Sequence, residues 1–110
     1  RQQIMAQYKL IRTETADSGL RRIILSIAEN FGVDVALEKL DQMEHQLSLL
    51  ADNPLLGTDP RYMVLRRQGY KVLILEKDLV FYKVNEAEKT VIIYAVVDQR
   101  QDYLDIIRGL

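Results

Sequence analysis

Apolar positions recur along this chain with two different spacings, and the change between them divides it into a helical part and a strand-rich part. Leu20, Ile23, Ile24, Ile27, Ala28 and Phe31 follow the i, i+3, i+4, i+7, i+8, i+11 series of one helix face. Asp17 or Ser18 is placed to cap that helix, and Asn30 with Gly32 supplies its stop. A second stripe at Ala36, Leu40, Met43, Leu47 and Leu50 predicts a helix over residues 33–51, ended by Asp52-Asn53-Pro54. So short a linker makes the pair an antiparallel hairpin. Ahead of it, residues 7–12 are rich in strand formers and predict a first strand.

Beyond the loop at residues 54–60 the pattern shifts to short runs of Val, Ile, Leu, Phe and Tyr at residues 71–75, 79–84 and 90–97. The polar spacers Glu76-Lys77-Asp78 and Asn85-Glu86-Ala87-Glu88-Lys89 suit hairpins, so the three runs predict an antiparallel β-meander. A last amphipathic turn presents Tyr103, Leu104, Ile106 and Ile107 for packing back on the sheet. The fold class is therefore α+β: an N-terminal strand, an antiparallel helical hairpin packed on an antiparallel meander, and a short C-terminal helix. Leu20, Ile24, Ile27, Leu40, Met43 and Leu47 are expected between hairpin and sheet, and Ile27→Ala should cost on the order of 2–5 kcal/mol.

Composition narrows the chemistry. The 110 residues, 1–110, read as one domain, long enough to bury a core without disulfides or a structural metal. There is no cysteine and a single histidine, which removes thiolate chemistry, disulfide frameworks and Cys/His zinc sites; no metal or other cofactor is expected. A reducing cytoplasm costs such a chain nothing. The apolar run at residues 91–97 is far below the ~20 residues of a spanning helix, so no membrane partner is expected. Net charge is −1, with six basic against nine acidic residues in 1–60 and nine against seven in 61–110. A dedicated nucleic-acid binder needs a stronger positive excess, because phosphate neutralisation supplies most of its affinity.

Phosphate loops, nucleophile elbows and zinc-protease motifs are missing. His45 lies off the apolar stripe and reads as a solvated helix position. Asp98, Asp102 and Asp105 cluster near the C-terminus; they read first as caps of the final helix and second as paired carboxylates for acid–base work, if the helix begins early. A cationic and aromatic set is more suggestive. Arg66 and Arg67 precede the second strand, Lys71 opens it, Arg100 leaves the fourth, and Tyr103 follows. Converging on one rim, such groups could hold phosphate or form a protein hot spot; scattered on the surface they would do neither.

Four phrases in order carry a resemblance: Ile27-Ala28-Glu29-Asn30-Phe31-Gly32, Asn53-Pro54-Leu55-Leu56-Gly57, Leu79-Val80-Phe81-Tyr82-Lys83-Val84 and Arg100-Gln101-Asp102-Tyr103. From Tyr8 to Ile107 the chain resembles the RelE/ParE superfamily of toxins from bacterial type II toxin-antitoxin systems. Members start a few residues before the first strand, so Met5 reads as the natural start and residues 1–4 as upstream sequence. The resemblance implies a cognate antitoxin whose partly disordered segment folds onto the toxin as a helix or an added strand.

Two mechanisms diverge within the superfamily. RelE-like members are metal-independent endoribonucleases that cut mRNA on the ribosome with several cations and a C-terminal tyrosine; carried over, Lys71, Arg100 and Tyr103 would be the catalytic residues. Two further cations of that pattern fall on Leu73 and Leu79, a serious loss for a site that must stabilise a dianionic phosphorane. ParE-like members block DNA gyrase by protein contact, and the long hairpin and the Phe81-Tyr82 wording resemble that branch more. Arg66, Arg67, Arg100 and Tyr103 would then be target-binding residues. A degenerate relative kept for antitoxin binding is the third reading.

Overall fold

The computed structural model describes residues 7–110. The expectations for Met5 and for residues 1–4 lie outside that range. The elements in order are β1 (Lys9–Arg12), α1 (Glu14–Phe31), α2 (Val33–Ser48) with a 3-10 turn (Leu49–Ala51), α3 (Met63–Arg67), β2 (Lys71–Leu75), β3 (Asp78–Asn85), β4 (Thr90–Asp98) and α4 (Leu104–Arg108). The predicted α+β order holds, with α3 added in a stretch where five helical residues are too few to show a period. The four strands form one sheet in the order β1-β4-β3-β2. β2, β3 and β4 make the expected antiparallel meander, and β1 joins β4 in parallel, so that the whole hairpin lies within the connection back to the sheet.

α1 begins earlier than its apolar stripe suggests. Its cap is Thr13, not Asp17 or Ser18: the Ala16 N–H donates to Thr13 Oγ1 at 3.1 Å. The hydroxyl in turn donates to the Tyr94 carbonyl of β4 at 2.9 Å, so one side chain starts the helix and ties it to the sheet. Glu14 and Asp17 then fall in the first turn, where the helix dipole favours acids. The early residues escape the pattern because closeness to β4, not apolarity, places them. A β-carbon on Gly19 would stand 2.1 Å from the Val96 carbonyl oxygen. Gly32 stops the helix at φ 96°, a left-handed conformation that glycine adopts at little cost, and its N–H reaches the Ala28 carbonyl at 3.0 Å.

The sheet separates two cores. Toward the hairpin, Leu20, Met43, Leu47 and Leu50 pack with Leu73, Val80, Tyr82, Val91, Ile93 and Val96. On the opposite face, Leu65 of α3 and Tyr103 and Ile107 at the C-terminus pack with Tyr70, Val72, Leu79, Phe81, Ala95 and Val97. The second layer depends on a β-bulge in β4. Phe81 pairs with Ala95 but Tyr82 with Ile93, leaving Tyr94 as an extra residue. Parity therefore shifts by one, and Ile93 and Val96 both reach the hairpin side. Tyr94 and Ala95 both reach the other.

Four positions on the predicted helix faces need correction. Phe31 is 70% exposed, while Ile27, Ile24 and Leu40 are only half-buried. The stripes are real, but the tip of the hairpin extends beyond what the sheet covers. Cavity cost follows burial. Leu47→Ala should therefore lower the unfolding free energy by about 2–5 kcal/mol and Ile27→Ala by distinctly less, in urea denaturation. Gly19→Ala should destabilise by about 1–3 kcal/mol or prevent folding, because the new methyl meets backbone that cannot rotate away.

Candidate functional site

On the sheet face away from the hairpin, the loop before α3 and the segment between β4 and α4 leave a cleft of about 310 Å³. Its floor is apolar, made by Val72 and Ile74 of β2 and Leu79 and Phe81 of β3; Thr58, Asp59, Arg61, Gln99 and Tyr103 are among its walls. The loop wall is held at the sheet edge and from the hairpin side of the sheet. Thr58 exchanges two backbone hydrogen bonds with Val72, at 2.8 and 2.9 Å. The buried Tyr82 hydroxyl donates to the Pro54 carbonyl at 2.8 Å and accepts the Gly57 N–H at 2.9 Å. Gly57 is required here, since a β-carbon would lie 2.5 Å from the Val72 oxygen.

Tyr103 is the predicted site residue that lines this cleft. Its ring lies 5.8 Å from Tyr62 edge-on and 5.2 Å from Phe81, and burial raises the pKa of its phenol, with Tyr62 adding to the shift. It stays neutral, an aromatic surface with a polar tip. Lys71 is connected to the cleft through Asp59, with Nζ 3.8 Å from Oδ1. Arg66 is exposed but donates from Nε to the Pro60 carbonyl at 2.6 Å, bracing the loop wall. Arg100 is largely exposed and follows the wall residue Gln99; its guanidinium grips Asp98 at 3.1 and 3.0 Å. The pair raises the arginine's pKa and lowers that of Asp98. Arg67 is exposed and is not a residue of the cleft.

Arg61, Asp59 and Gln99 were not legible as site residues, because nothing in their spacing shows that a loop and a strand exit share one cleft. The two positions where the nuclease pattern expects cations are apolar and buried: Leu73 in the hairpin-side core, Leu79 in the cleft floor. His45 is exposed on α2.

The C-terminal aspartates do not act as first supposed. α4 begins at Leu104, so Asp98 and Asp102 share no helix, and no side chain caps it. Asp98 lies instead opposite Asp78 on β3. Asp78 is buried, and its pKa is raised foremost by that burial; Asp98 and Glu76 push the same way, Lys39 and Arg100 against it.

Residues 10–103 match the sequence family described as ParE toxin of type II toxin-antitoxin system, parDE. No curated protein matches the chain by sequence. Among solved structures, the chain is similar to one from a chromosomal ParDE system of P. aeruginosa, at 20% identity and TM-score 0.70, covering 84% of this chain and 97% of that one. It is also similar to one from the RelBE2 toxin-antitoxin complex of Mycobacterium tuberculosis, at 18% identity and TM-score 0.58, covering 84% and 98%. The isolated E. coli RelE toxin follows at 17% identity and TM-score 0.57, covering 94% and 99%. At these identities the structures establish a shared fold.

A raised aspartate pKa sets the sign of a pH effect. Native Asp78 binds its proton more tightly than the unfolded chain does, so its contribution to stability is present below the ordinary value of 3.8 and lost as pH rises through the folded value. Asp78→Asn should raise the urea midpoint at neutral pH and flatten its fall with rising pH above about 4.

Proposed function

The chain belongs to the ParE toxin family of type II toxin-antitoxin systems, and on that footing we propose that it inhibits growth by protein contact with a target such as DNA gyrase and is neutralised by a cognate antitoxin. The observation that carries the first half is the cleft. RNA cleavage stabilises charge developing on phosphorus, and preorganised cations are the main means. Here the floor is Val72, Ile74, Leu79 and Phe81, and Lys71 is paired with Asp59. An apolar floor with a tyrosine and an arginine at its rim suits a side-chain anchor from another protein. Arg100 and Tyr103 are the residues on which target contact is proposed to depend, with Arg66, which braces the loop wall, and the exposed Arg67 as further contact residues.

The antitoxin half draws on the family and on the edge of the sheet. β2 is an outer strand, and Val72 already spends its outward N–H and C=O on Thr58. By strand alternation the next outward pair belongs to Ile74, whose side chain is exposed. That edge supports strand addition by a partner segment.

Inducible expression with labelled precursors should show DNA synthesis falling before RNA synthesis, and purified protein added to translating ribosomes should leave mRNA intact. Cuts in the ribosomal A site on primer extension would overturn the reading in favour of the ribonuclease. Arg100→Ala should weaken growth inhibition with the melting temperature unchanged, because the side chain is exposed and its ion pair lies in solvent. Loss of toxicity together with a lowered melting temperature would reduce Arg100 to a structural residue.

A further inference from the structure

The cleft has two polar features that its apolar floor does not explain. Tyr103 is 9% exposed, yet among the described residues its hydroxyl has no hydrogen-bond partner. A buried hydroxyl ordinarily finds one. Arg61, on the loop wall, pairs with no carboxylate among the described residues; it lies over the Tyr62 ring, 5.7 Å from its centroid. Tyr62 meets Tyr103 edge-on at 5.8 Å, so guanidinium and phenol belong to one corner of the cleft. Arg61 also opposes the rise in the Tyr103 pKa, as a cation close to the phenol must.

Charge and size select the occupant. Asp59 meets Lys71 at 3.8 Å, and Arg100 holds Asp98 at 3.0 Å. Among these groups the charge left over is the guanidinium of Arg61. One guanidinium matches one carboxylate, whose oxygens can also accept from a phenol. A nucleic-acid backbone needs several cations, and a dianionic phosphate would lose its hydration against Val72, Ile74, Leu79 and Phe81. A volume of about 310 Å³ lies at the small end of ligand pockets, which suits one bulky side chain.

Resting on the reading of the cleft as a surface for protein contact, we propose that it takes an extended acidic segment of the partner. A bulky apolar side chain, best an aromatic ring, fills the floor, and a carboxylate two residues further on is bound by Arg61 and the Tyr103 hydroxyl. Residues i and i+2 of an extended chain point to one side, which lets a single segment supply both groups. Arg61 and Tyr103 are then the specificity determinants: the floor accepts any apolar anchor, and the polar corner selects those with an acid beside them.

The probe is a blocked glycine–serine peptide of about eight residues, long enough to lie extended across the cleft, with a phenylalanine and a glutamate two positions later. Versions with glutamine or lysine in place of the glutamate, a version with glycine in place of the phenylalanine, and a short oligouridine serve as controls. Titration into the full chain, followed by backbone amide NMR, should move the signals of Gln99 and Tyr103. The glutamate peptide should bind at least about fivefold more tightly than the glutamine version, because a hydrogen-bonded charge is lost. Arg61→Gln and Tyr103→Phe should each erase that preference at an unchanged melting temperature, since Arg61 is exposed and the phenylalanine keeps the ring packed on Phe81. Arg61→Glu should turn the preference toward the lysine version, and Arg61→Gln should weaken growth inhibition. Binding that ignores the charge, binding that survives loss of the phenylalanine, no binding of any peptide, or undiminished inhibition by Arg61→Gln would each overturn the anchor while protein contact stood. Binding of the oligouridine in the cleft in place of the peptides would overturn both.

Discussion

The contact between α1 and β4 is the constraint on which the rest of the structure depends. Gly19 lets the helix backbone come so close to the strand that a methyl group would collide with the Val96 carbonyl. Thr13 fixes the start of the same helix by bonding both its first turn and the Tyr94 carbonyl. With helix and strand so joined, the direction of α1 across the sheet follows, and α2 returns beside it through the left-handed Gly32. β1 is held in parallel register on the other side of β4 by the same short connection.

The bulge at Tyr94 does for the second face what Gly19 does for the first. Strict alternation along β4 would send every second side chain to the hairpin, and the extra residue resets that parity halfway along the strand. Tyr94 joins Tyr70 edge-on at 5.5 Å, and Lys83 lies over both rings, 4.5 Å from Tyr70 and 5.3 Å from Tyr94. A lysine that looks like a solvated interruption of an apolar strand is thereby placed against aromatic faces, an arrangement in which cation and quadrupole attract. The two faces of the sheet divide in the same way. The cleft belongs to the aromatic face, the hairpin tip to the other, and one sheet carries both.

Electrostatics in this protein are arranged locally. Arg12 bridges Asp17 of α1 at 3.0 Å and Glu44 of α2 at 2.5 Å, fastening the open end of the hairpin. Lys71 is engaged by Asp59, Arg66 by a carbonyl, and Arg100 by Asp98, so three of the four cations that cluster in the sequence have separate partners, while Arg67 is exposed. Of these four cations none is a lining residue of the cleft, whose own arginine is Arg61.

The amino-acid sequence by itself determined the two long helices, the meander and their order, because each is written in a period that only one kind of backbone can satisfy. It also carried the family resemblance, through phrases such as Asn53-Pro54-Leu55-Leu56-Gly57, and the family match spans residues 10–103. Tertiary structure decided the remainder. Thr13 becomes a cap only because Tyr94 offers a carbonyl beside it, and Phe31 is exposed only because the sheet ends short of the hairpin tip. Asp98 faces Asp78 rather than Asp102 because strand pairing, not sequence distance, brings it there. Arg61, Gln99 and Tyr103 line one cleft because three separate segments are packed on the same sheet face. Periodicity reports how each segment divides its own faces between water and core. Which surfaces then meet depends on register, a bulge and the close approach that one glycine allows, and these are properties of pairs of segments that no single segment encodes.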